Sequence, residues 1–493
     1  MNKQNQDTNN LEAIFPFSVS LARKVHRAEH RANPFLNILN MTDKSVCQYP
    51  DLLGKKGWLW RLFNSMMGAG ITLLRALFYW RHAIPFLLPK ASADIVIISH
   101  LTSISHLTKK DDFYFGDLVN QLEAADYKTH TVLINHCRAK ASDISKSSRN
   151  GVTILPAFNS PWGEVKLLMR MLGASFSIPS IGTRKDELSF VRKASLAQFN
   201  SRAVGDYRIG KMILSLIAGL KPRIILHTFE GHGWERLVTA EAHQMTVQGI
   251  PPHIIGYQHA VIFPGLKSLC FNHGNGADPD HVFTSGIITH DHLQREASFP
   301  PLSILGSVRA TSVNKAKFSP NGACLIAPEG TLSEVMIMSK IAITAAHLSP
   351  DQVFILRLHP VLNREMVNKK LKKHASFPDN FKLSKQSLHD DFTQSSFLCY
   401  RGSSVALEGI LHGLRPIYLD PDQLAANNDP IDPMLSFRRL ASNAEDLVKI
   451  IKEDYLDPRL GAKELPEALT YAKSYFMPLE PNVLINHIKK FLS

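Results

Sequence analysis

Four short segments place acidic, histidine or serine residues where an apolar run ends and a turn begins. They are TFEGHG (228–233), YQHA (257–260), LHP (358–360) and YRGSS (400–404). A carboxylate at such a position can accept a proton or attack a carbon atom, and a histidine can transfer a proton near neutral pH. Serine hydroxyls and exposed amides at a helix start can bind a phosphate. Together the segments predict acid-base groups and an anion-binding turn.

The first two segments supply a carboxylate and its neighbours. We expect Glu230 to follow a strand and to face a cleft, with His232 orienting it or contacting substrate. Gln258 and His259 follow the next strand, and His259 either reaches the cleft or is a hydrogen-bonded structural histidine. Trp234 is expected to begin a helix. Surface charge is expected from Glu235, Arg236 and Glu241.

The YRGSS segment predicts a phosphate site. A strand ends at Tyr400, Gly402 permits a tight turn, and Ser403 and Ser404 stand at the start of a helix. Glu408, one turn along that helix, is a candidate for binding a ribose. The alternative is that the two serines only cap the helix and Glu408 faces solvent.

Two further strand ends in the same region carry candidates. In VFILRLHP (353–360), His359 can donate to a phosphate or protonate a leaving group, with Arg357 as a neighbouring cation or as half of an ion pair. In CLIAPEGTLSEV (324–335), Gly330 and Thr331 form a second possible anion cradle, or Thr331 simply caps a helix.

Cofactor motifs are missing from the sequence. There is no GxxxxGK[ST], GxGxxG, GxSxG or HExxH, and the five cysteines are spread singly along the chain. A metal cluster is conceivable only from His227, Glu230, His232 and His259, whose spacing matches no known metal motif. We therefore expect neither a metal nor a resident cofactor.

The elements that must position these residues alternate between strands and helices, which predicts an α/β fold with mainly parallel sheets. Buried strands are indicated by continuous apolar runs. These runs lie at 94–100, 129–135, 152–156, 223–229, 253–258, 281–286, 324–328, 353–359, 396–400 and 416–419. A polar stretch, 307–323, separates two series. We predict two facing doubly wound, Rossmann-like domains with the site residues at the carboxyl ends of the strands.

The predicted boundaries follow from this pattern. They are an N-terminal helical extension over 1–90, a first domain over 91–315, a second over 316–470, and a C-terminal helix over 471–493 that packs back on the first domain. Within the extension, residues 57–89 are basic and rich in aromatics, and Arg61, Arg75 and Arg81 interrupt the apolar run. This stretch either covers the neighbouring core or lies in a membrane interface.

Composition narrows the class of protein. Of 493 residues 44% are hydrophobic and 20% charged, which excludes a disordered chain, and the formal net charge is +13. The basic run NKKLKKH (368–374) lacks interleaved aromatics, so nucleic acid is not expected. The polar first residues and the single cysteines favour the cytoplasm. The charge instead suits anionic nucleotides, acidic glycans or an anionic inner-membrane surface.

The pairs Glu230-Gly231, His359-Pro360 and Ser403-Ser404 resemble motifs of bacterial transferases that use CMP-activated acid sugars. These are the sialyltransferases and Kdo (3-deoxy-manno-octulosonic acid) transferases of GT-B fold, and the likeness covers roughly residues 90–420. It implies that Glu230 is the catalytic carboxylate, that His359 assists CMP departure, and that Ser403 and Ser404 hold the phosphate. The sialyltransferase motif has a second acidic residue where this chain has Phe229. Glu329-Gly330 is a competing pair.

The resemblance implies a metal-independent glycosyltransferase that moves an acid sugar, with Kdo favoured over sialic acid, onto capsule or lipopolysaccharide glycan. The first domain would bind the acceptor and the second the nucleotide-sugar donor. Alternatives are a GT-B enzyme using a UDP- or GDP-hexose, with Glu408 on the ribose, and a nucleotide-sugar epimerase, whose double-glycine turn differs from Arg401-Gly402-Ser403-Ser404. A non-catalytic glycan-binding relative is a further possibility.

Overall fold

A computed structural model describes most of the chain. The described residues are 58–89, 91–109, 111–144, 151–177, 201–263, 269, 272–274, 276–295, 299–310, 322–359, 362–374, 376–421, 428–456 and 458–492. The first described element is a helix, α1 (Trp58–Tyr79), followed by a short 3-10 turn. Residues 1–57 and residue 90 of the predicted extension lie outside the described residues.

The first domain alternates strands with helices, as continuous apolar strand runs require when both sheet faces are covered. In chain order its elements are β1 (Ile95–Leu101), α2 (Leu118–Ala124), β2 (Thr129–Asn135), α3 (Ala141–Ile144), β3 (Val152–Ile154), α4 (Pro161–Ser177), α5 (Ser201–Leu220), β4 (Ile224–Thr228), α6 (Gly233–Ala242), β5 (His253–Gln258), β6 (His281–Thr284), α7 (Ile287–Gln294) and β7 (Leu302–Ile304).

These strands form a seven-stranded sheet in the order β3-β2-β1-β4-β5-β6-β7, with every pair parallel. Val96 and Ile98 of β1 enter a core shared with α4, α5 and α6, whereas Ile95 and Ile97 enter a core on the opposite face. The strand order reverses between β1 and β4. A ligand in such a sheet binds beyond the carboxyl ends of the strands at this point.

The second domain repeats the plan. Its elements are β8 (Ala323–Ala327), α8 (Leu332–Leu348), β9 (Phe354–Leu356), α9 (Arg364–His374), β10 (Phe381–Leu383), α10 (Leu388–Thr393), β11 (Ser395–Tyr400), α11 (Val405–Leu411), β12 (Arg415–Leu419), β13 (Arg439–Ala441) and α12 (Ala444–Leu456). The six strands pair in parallel in the order β10-β9-β8-β11-β12-β13. Here the order reverses between β8 and β11.

Two C-terminal helices tie the domains together. Helix α13 (Pro458–Tyr475) packs Ala468 and Ala472 into the second domain's core. Near its end, the Tyr475 carbonyl accepts a hydrogen bond from Ser285 Oγ of the first domain at 3.1 Å. Helix α14 (Pro481–Leu492) then buries Leu484 and Ile488 against the first domain.

The predicted fold class of two Rossmann-like α/β domains is confirmed by these two parallel sheets. Every run predicted as a strand contains one, within a few residues at its ends. The strands that the sequence did not reveal are β7, β10 and β13, which are three residues long and stand at sheet edges. An edge strand pairs on one side only and needs no continuous apolar run, so its sequence signal is weak.

No helix among the described residues is long and apolar enough to cross a membrane. Cys137, Cys324 and Cys399 carry free thiols, and the latter two are buried. The predicted linker near residue 315 lies outside the described residues, so the domain boundaries stay predictions.

Candidate functional site

The reversal point of the first sheet carries a buried histidine. His100, on β1, lies with Nε2 2.7 Å from Thr228 Oγ1 at the end of β4 and with Nδ1 2.8 Å from His136 Nε2 beyond β2. Burial, together with the neighbouring His136, holds the pKa of His100 well below its usual range. His100 is therefore a buried, neutral side chain at the site and does not contribute a positive charge.

Glu230 lies beyond β4 between two histidines. His232 Nε2 is 3.0 Å from Glu230 Oε2, and His259 Nε2 is 3.0 Å from Glu230 Oε1. Burial alone would raise the pKa of Glu230, but the contacts with His232 and His259 outweigh it and hold that pKa well below its usual range. Glu230 is consequently ionised at neutral pH, and its side chain is 29% exposed, so it can be reached.

The charge state of His232 complements this carboxylate. Burial opposes protonation, but the hydrogen bond to Glu230 and the negative charge of Glu235 raise the pKa of His232 to about 9. His259 is buried on the far side of Glu230, at ion-pair distance but without the alignment of a hydrogen bond, and its Nδ1 has no hydrogen-bond partner among the described residues. The structure thus brings the predicted residues Glu230, His232 and His259 together.

Glu235 explains why the loop before α6 adopts this shape. Its carboxylate accepts hydrogen bonds from the backbone N–H groups of Glu230, Gly231 and His232, at 2.7 to 3.1 Å. Gly231 meets the turn with a φ of +80°, which favours glycine. Burial raises the pKa of Glu235 to about 7. The carboxylate therefore holds the turn that presents Glu230.

The expectation that Glu235 and Arg236 contribute surface charge is wrong. Both side chains are buried, whereas Glu241 is half-buried. Arg236 pairs with Asp278, and its guanidinium lies 4.7 Å from the centre of the Phe229 ring. A buried charge is tolerated when it is paired in this way, and a charged sequence pattern alone does not reveal the partner.

Gln258 shapes the turn that carries His259. Its side chain is buried, and its amide nitrogen donates to the Ala260 carbonyl. The predicted cleft role therefore falls to His259, with Gln258 supporting the backbone around it.

Sequence reasoning missed Tyr114 and its loop. The Tyr114 ring centre lies 4.4 Å from that of His259, so Tyr114 covers the imidazole next to Glu230. Asp112 Oδ1 accepts the backbone N–H groups of Tyr114 and Phe115 at 2.8 and 2.9 Å, which fixes the loop beyond β1. Burial, with the negative charge of Glu230 added, raises the pKa of Tyr114. The preceding residue, Phe113, lines a second feature of the site, which is a cavity between the two domains.

This second feature, the interdomain cavity, has a volume of about 470 Å³. Ligand pockets typically measure roughly 300–1,000 Å³. Residues of both domains line it: Phe113, Val308, Arg309, Ala327, Pro328, Arg357, Leu358, His359, Leu388, Ser403, Ser404, Val405 and Glu408. The predicted residues Arg357, His359, Ser403, Ser404 and Glu408 are therefore brought together.

The Gly402-Ser403-Ser404 turn forms one wall of the interdomain cavity. Gly402 has a φ of +59°, and a Cβ atom there would lie 2.8 Å from Glu329 Oε2, so the position favours glycine. Ser403 Oγ accepts the Val405 N–H at 3.3 Å. Ser404 stands at the N-cap of α11, yet its side chain makes no capping bond. The capping alternative therefore fails for Ser404.

Arg309, which lies in the polar stretch between the two series of strands, reaches that turn from the first domain. Its Nη1 donates to Ser404 Oγ at 3.1 Å. Its guanidinium also lies 5.7 Å from the centre of the Phe476 ring. The sequence around position 309 contains no strand or motif that would reveal this contact. Arg309 comes close to Ser404 only when the two domains pack together.

Three further predicted residues of the second domain, Arg357, His359 and Glu408, also border the cavity. Arg357 Nη1 pairs with buried Asp391 at 2.6 Å, as its ion-pair alternative anticipated, while still bordering the cavity. Partial burial lowers the pKa of His359, so a neutral imidazole faces the cavity. Burial raises the pKa of Glu408, against the opposing charge of Arg309. Pro360 lies outside the described residues.

Gly330 and Thr331 do not border the interdomain cavity. The nearby residues Ala327 and Pro328, at the end of β8, do line it. Thr331 stands at the N-cap of α8 without a capping bond. Inside the loop, buried Glu334 accepts the Glu329 N–H at 2.8 Å, which resembles the role of Glu235 in the first domain. The anion-binding role of Gly330 and Thr331 therefore stays a prediction, and these residues do not line the interdomain cavity.

Among the described residues, no three His, Cys, Asp or Glu side chains are grouped so that they could hold a metal ion. The Glu230 cluster (Glu230, His232, His259 and Tyr114) can take up a proton from a hydroxyl, and the interdomain cavity can hold an anion through two serines, His359 and Arg309. The adjacent Phe113 and Tyr114 connect the two. Glu230 itself does not line the cavity.

Neither a known family nor a curated relative matches the sequence. Similar solved structures include a kitacinnamycin glycosyltransferase, at 12% identity and a TM-score of 0.46, covering 82% of this chain and 100% of its own. A putative UDP-N-acetylglucosamine 2-epimerase from Listeria monocytogenes is 15% identical, with a TM-score of 0.48, and the shares covered are 81% and 97%. The calicheamicin glycosyltransferase CalG4 is 9% identical, with a TM-score of 0.46, covering 81% and 98%. The fold assignment rests on the sheet topology described above.

Proposed function

We propose that the chain is a GT-B glycosyltransferase that moves an acid sugar from a CMP-activated donor to a growing capsule or lipopolysaccharide glycan. Kdo is favoured over sialic acid, because the sequence lacks the second acidic residue before Gly231. The observation that carries the proposal is the interdomain cavity, in which Ser403, Ser404 and His359 converge beside Arg309. No metal is proposed for this reaction.

The donor phosphate belongs, in this proposal, against the Ser403 and Ser404 hydroxyls. A monophosphate leaving group needs hydrogen-bond donors where negative charge develops, and preorganised donors supply such stabilisation without a metal. A neutral His359 donates one N–H to a phosphate oxygen. Arg309 adds a cation from the opposite domain, next to Ser404.

Glu230 is proposed as the group that activates the acceptor. The bond between the sugar's anomeric carbon and the phosphate oxygen breaks, and its electron pair leaves with CMP. The acceptor oxygen forms the new bond to that carbon, and its proton passes to the Glu230 carboxylate. An ionised Glu230 beside a protonated His232 is ready for this step at neutral pH. Direct attack by Glu230 on the anomeric carbon is the covalent alternative.

The proposal is tested by CMP release. Purified protein is incubated with CMP-Kdo, CMP-sialic acid, UDP-hexoses and GDP-hexoses, with and without a capsule or lipopolysaccharide acceptor glycan and with EDTA present throughout. We expect acceptor-dependent CMP release from CMP-Kdo, lost in Glu230→Gln. Turnover of a UDP- or GDP-sugar, with none of a CMP-sugar, would contradict the donor assignment.

Glu408 supports one alternative, a GT-B enzyme that uses a UDP- or GDP-hexose. Its carboxyl group borders the cavity where a ribose hydroxyl could be bound. A nucleotide-sugar epimerase is distinguished by conversion of its sugar without an acceptor. A non-catalytic glycan-binding protein is indicated if Glu230→Gln leaves cellular function intact.

We propose that the reaction takes place in the cytoplasm. The free thiols of Cys137, Cys324 and Cys399 fit a reducing compartment. Detection of the chain in the cytoplasmic fraction of fractionated cells, or at the inner face of the inner membrane, tests this placement.

A further inference from the structure

Helix α1 reverses the usual arrangement of a surface helix. The side chains that it buries are mostly small, with Ser65 at 7%, Thr72 at 3% and Ala76 at 0% exposure, and Ala69 and Leu73 partly buried beside them. Large apolar side chains face outward instead: Leu59, Phe63, Met66, Met67, Ile71, Leu74, Leu77 and Phe78. A helix that only covers a core would bury such residues.

The outward side chains form a single face. At 100° per residue, the positions from Leu59 to Phe78 fall within an arc of about 140°. The buried Ser65, Thr72 and Ala76 lie on the opposite side. This geometry rules out scattered exposure, which is common on protein surfaces, and leaves a continuous apolar strip along the helix.

Neighbouring elements also expose large apolar side chains. Trp80, Leu87 and Leu88 follow α1 and are exposed. Helix α4 packs beside α1 and exposes Trp162 and Met169. We call this set of residues on α1, on 80–88 and on α4 the apolar face. Its extent is unusual for a surface that contacts only water.

The exposed charged side chains on the described parts of α1, 80–88 and α4 are all positive. Arg75 and Arg81 are exposed along the apolar face, and Lys166 and Arg170 are exposed on α4. The sequence from 57 to 92 contains no acidic residue, and the acidic residue of α4, Glu164, is buried in an ion pair with Arg208. Arginine at the edge of an apolar strip and tryptophan at its ends are typical of helices that lie in a bilayer interface.

We propose that the apolar face docks the protein on an anionic lipid bilayer, with α1 lying parallel to the membrane plane. Each exposed cation near such a surface is attracted to acidic headgroups, while the Phe, Leu and Met side chains enter the acyl boundary. A second copy of this chain is the less suitable occupant, because the described elements of this face expose no acidic side chain that could pair with Arg75 or Arg81 across a symmetric dimer. This docking does not depend on the proposed reaction.

The test is co-sedimentation of the full chain with vesicles of phosphatidylcholine alone or with about one quarter phosphatidylglycerol. We expect binding only to the anionic vesicles, weakened by salt. Phe63→Ser with Phe78→Ser should lower the partition coefficient roughly tenfold at every salt concentration. Arg75→Gln with Arg81→Gln should lower it at low salt and match the wild type at high salt.

Met434→Ser with Leu456→Ser is the matched control, because these side chains are 89% and 85% exposed on the second domain, away from the apolar face. It should bind vesicles like the wild type, and the thermal midpoint of every variant should stay unchanged. Equal partition of Phe63→Ser with Phe78→Ser and the wild type would overturn the proposal. A solution dimer, measured by light scattering and dissociated by those changes, would assign the face to a second copy instead.

Discussion

Arg309 Nη1 donates to Ser404 Oγ at 3.1 Å, so a guanidinium of the first domain touches the serine turn of the second. This bond crosses the cleft at the place where a phosphate is proposed to bind. A bound phosphate can accept from both Arg309 and Ser404, and would then connect the two domains. Donor binding and the relative position of the domains are therefore expected to depend on Arg309.

Replacement of Arg309 by Gln should weaken CMP binding between about tenfold and a hundredfold, because a charge-assisted hydrogen bond contributes roughly 1.5–3 kcal/mol. Isothermal titration calorimetry with CMP measures this without any turnover. Arg295→Gln is the control, since Arg295 is an exposed arginine of the same domain. Equal CMP affinity in Arg309→Gln and Arg295→Gln would remove Arg309 from the donor site.

Glu230→Gln should lower kcat by about a thousandfold while CMP affinity stays within a factor of two, because Glu230 does not line the interdomain cavity. Steady-state CMP release and calorimetry separate these two quantities. Glu445→Gln, an exposed carboxylate at the start of α12, serves as the control. A parallel loss of CMP affinity would show that Glu230 acts in donor binding.

Stability should depend on pH through His232. Its pKa is raised from 6.5 to about 9 on folding, so its favourable contribution is complete below pH 6.5 and is lost as pH rises through about 9. The free energy of unfolding of the wild type should thus fall across this interval relative to His232→Gln. Urea unfolding of both proteins between pH 6 and 9.5 measures the difference. Parallel curves for the two proteins would contradict the coupling of His232 to Glu230.

Glu235→Ala should destabilise the fold by about 3 kcal/mol, because three backbone N–H groups lose their buried acceptor. Glu235→Gln keeps one acceptor oxygen and should cost less. Chemical denaturation provides the measurement, and Glu241→Ala, a half-buried carboxylate on the same helix, should change stability by no more than about 0.5 kcal/mol. Similar losses in Glu235→Ala and Glu241→Ala would show that the loop does not need Glu235.

The strands and their order along the chain were predictable from the sequence, because a strand buried on both faces needs a continuous apolar run. The candidate residues at strand ends were also predictable, because the carboxyl ends of parallel strands meet at one edge of the sheet. By this rule Glu230 is expected near His259, and Ser403 near His359, as the structure has them. The covering residue Tyr114 lay in a long loop, whose path no local pattern specifies.

What the sequence determined by itself was therefore the α/β class, the two domains and most strand-end residues, since these follow from local apolar patterns. Only the tertiary structure decided that Glu235 and Arg236 are buried, that Arg309 reaches Ser404, and that α1 turns its large apolar side chains outward. Each of these depends on contacts between residues distant along the chain. Burial and partnership are properties of the packed molecule, and a side chain's type constrains them only weakly.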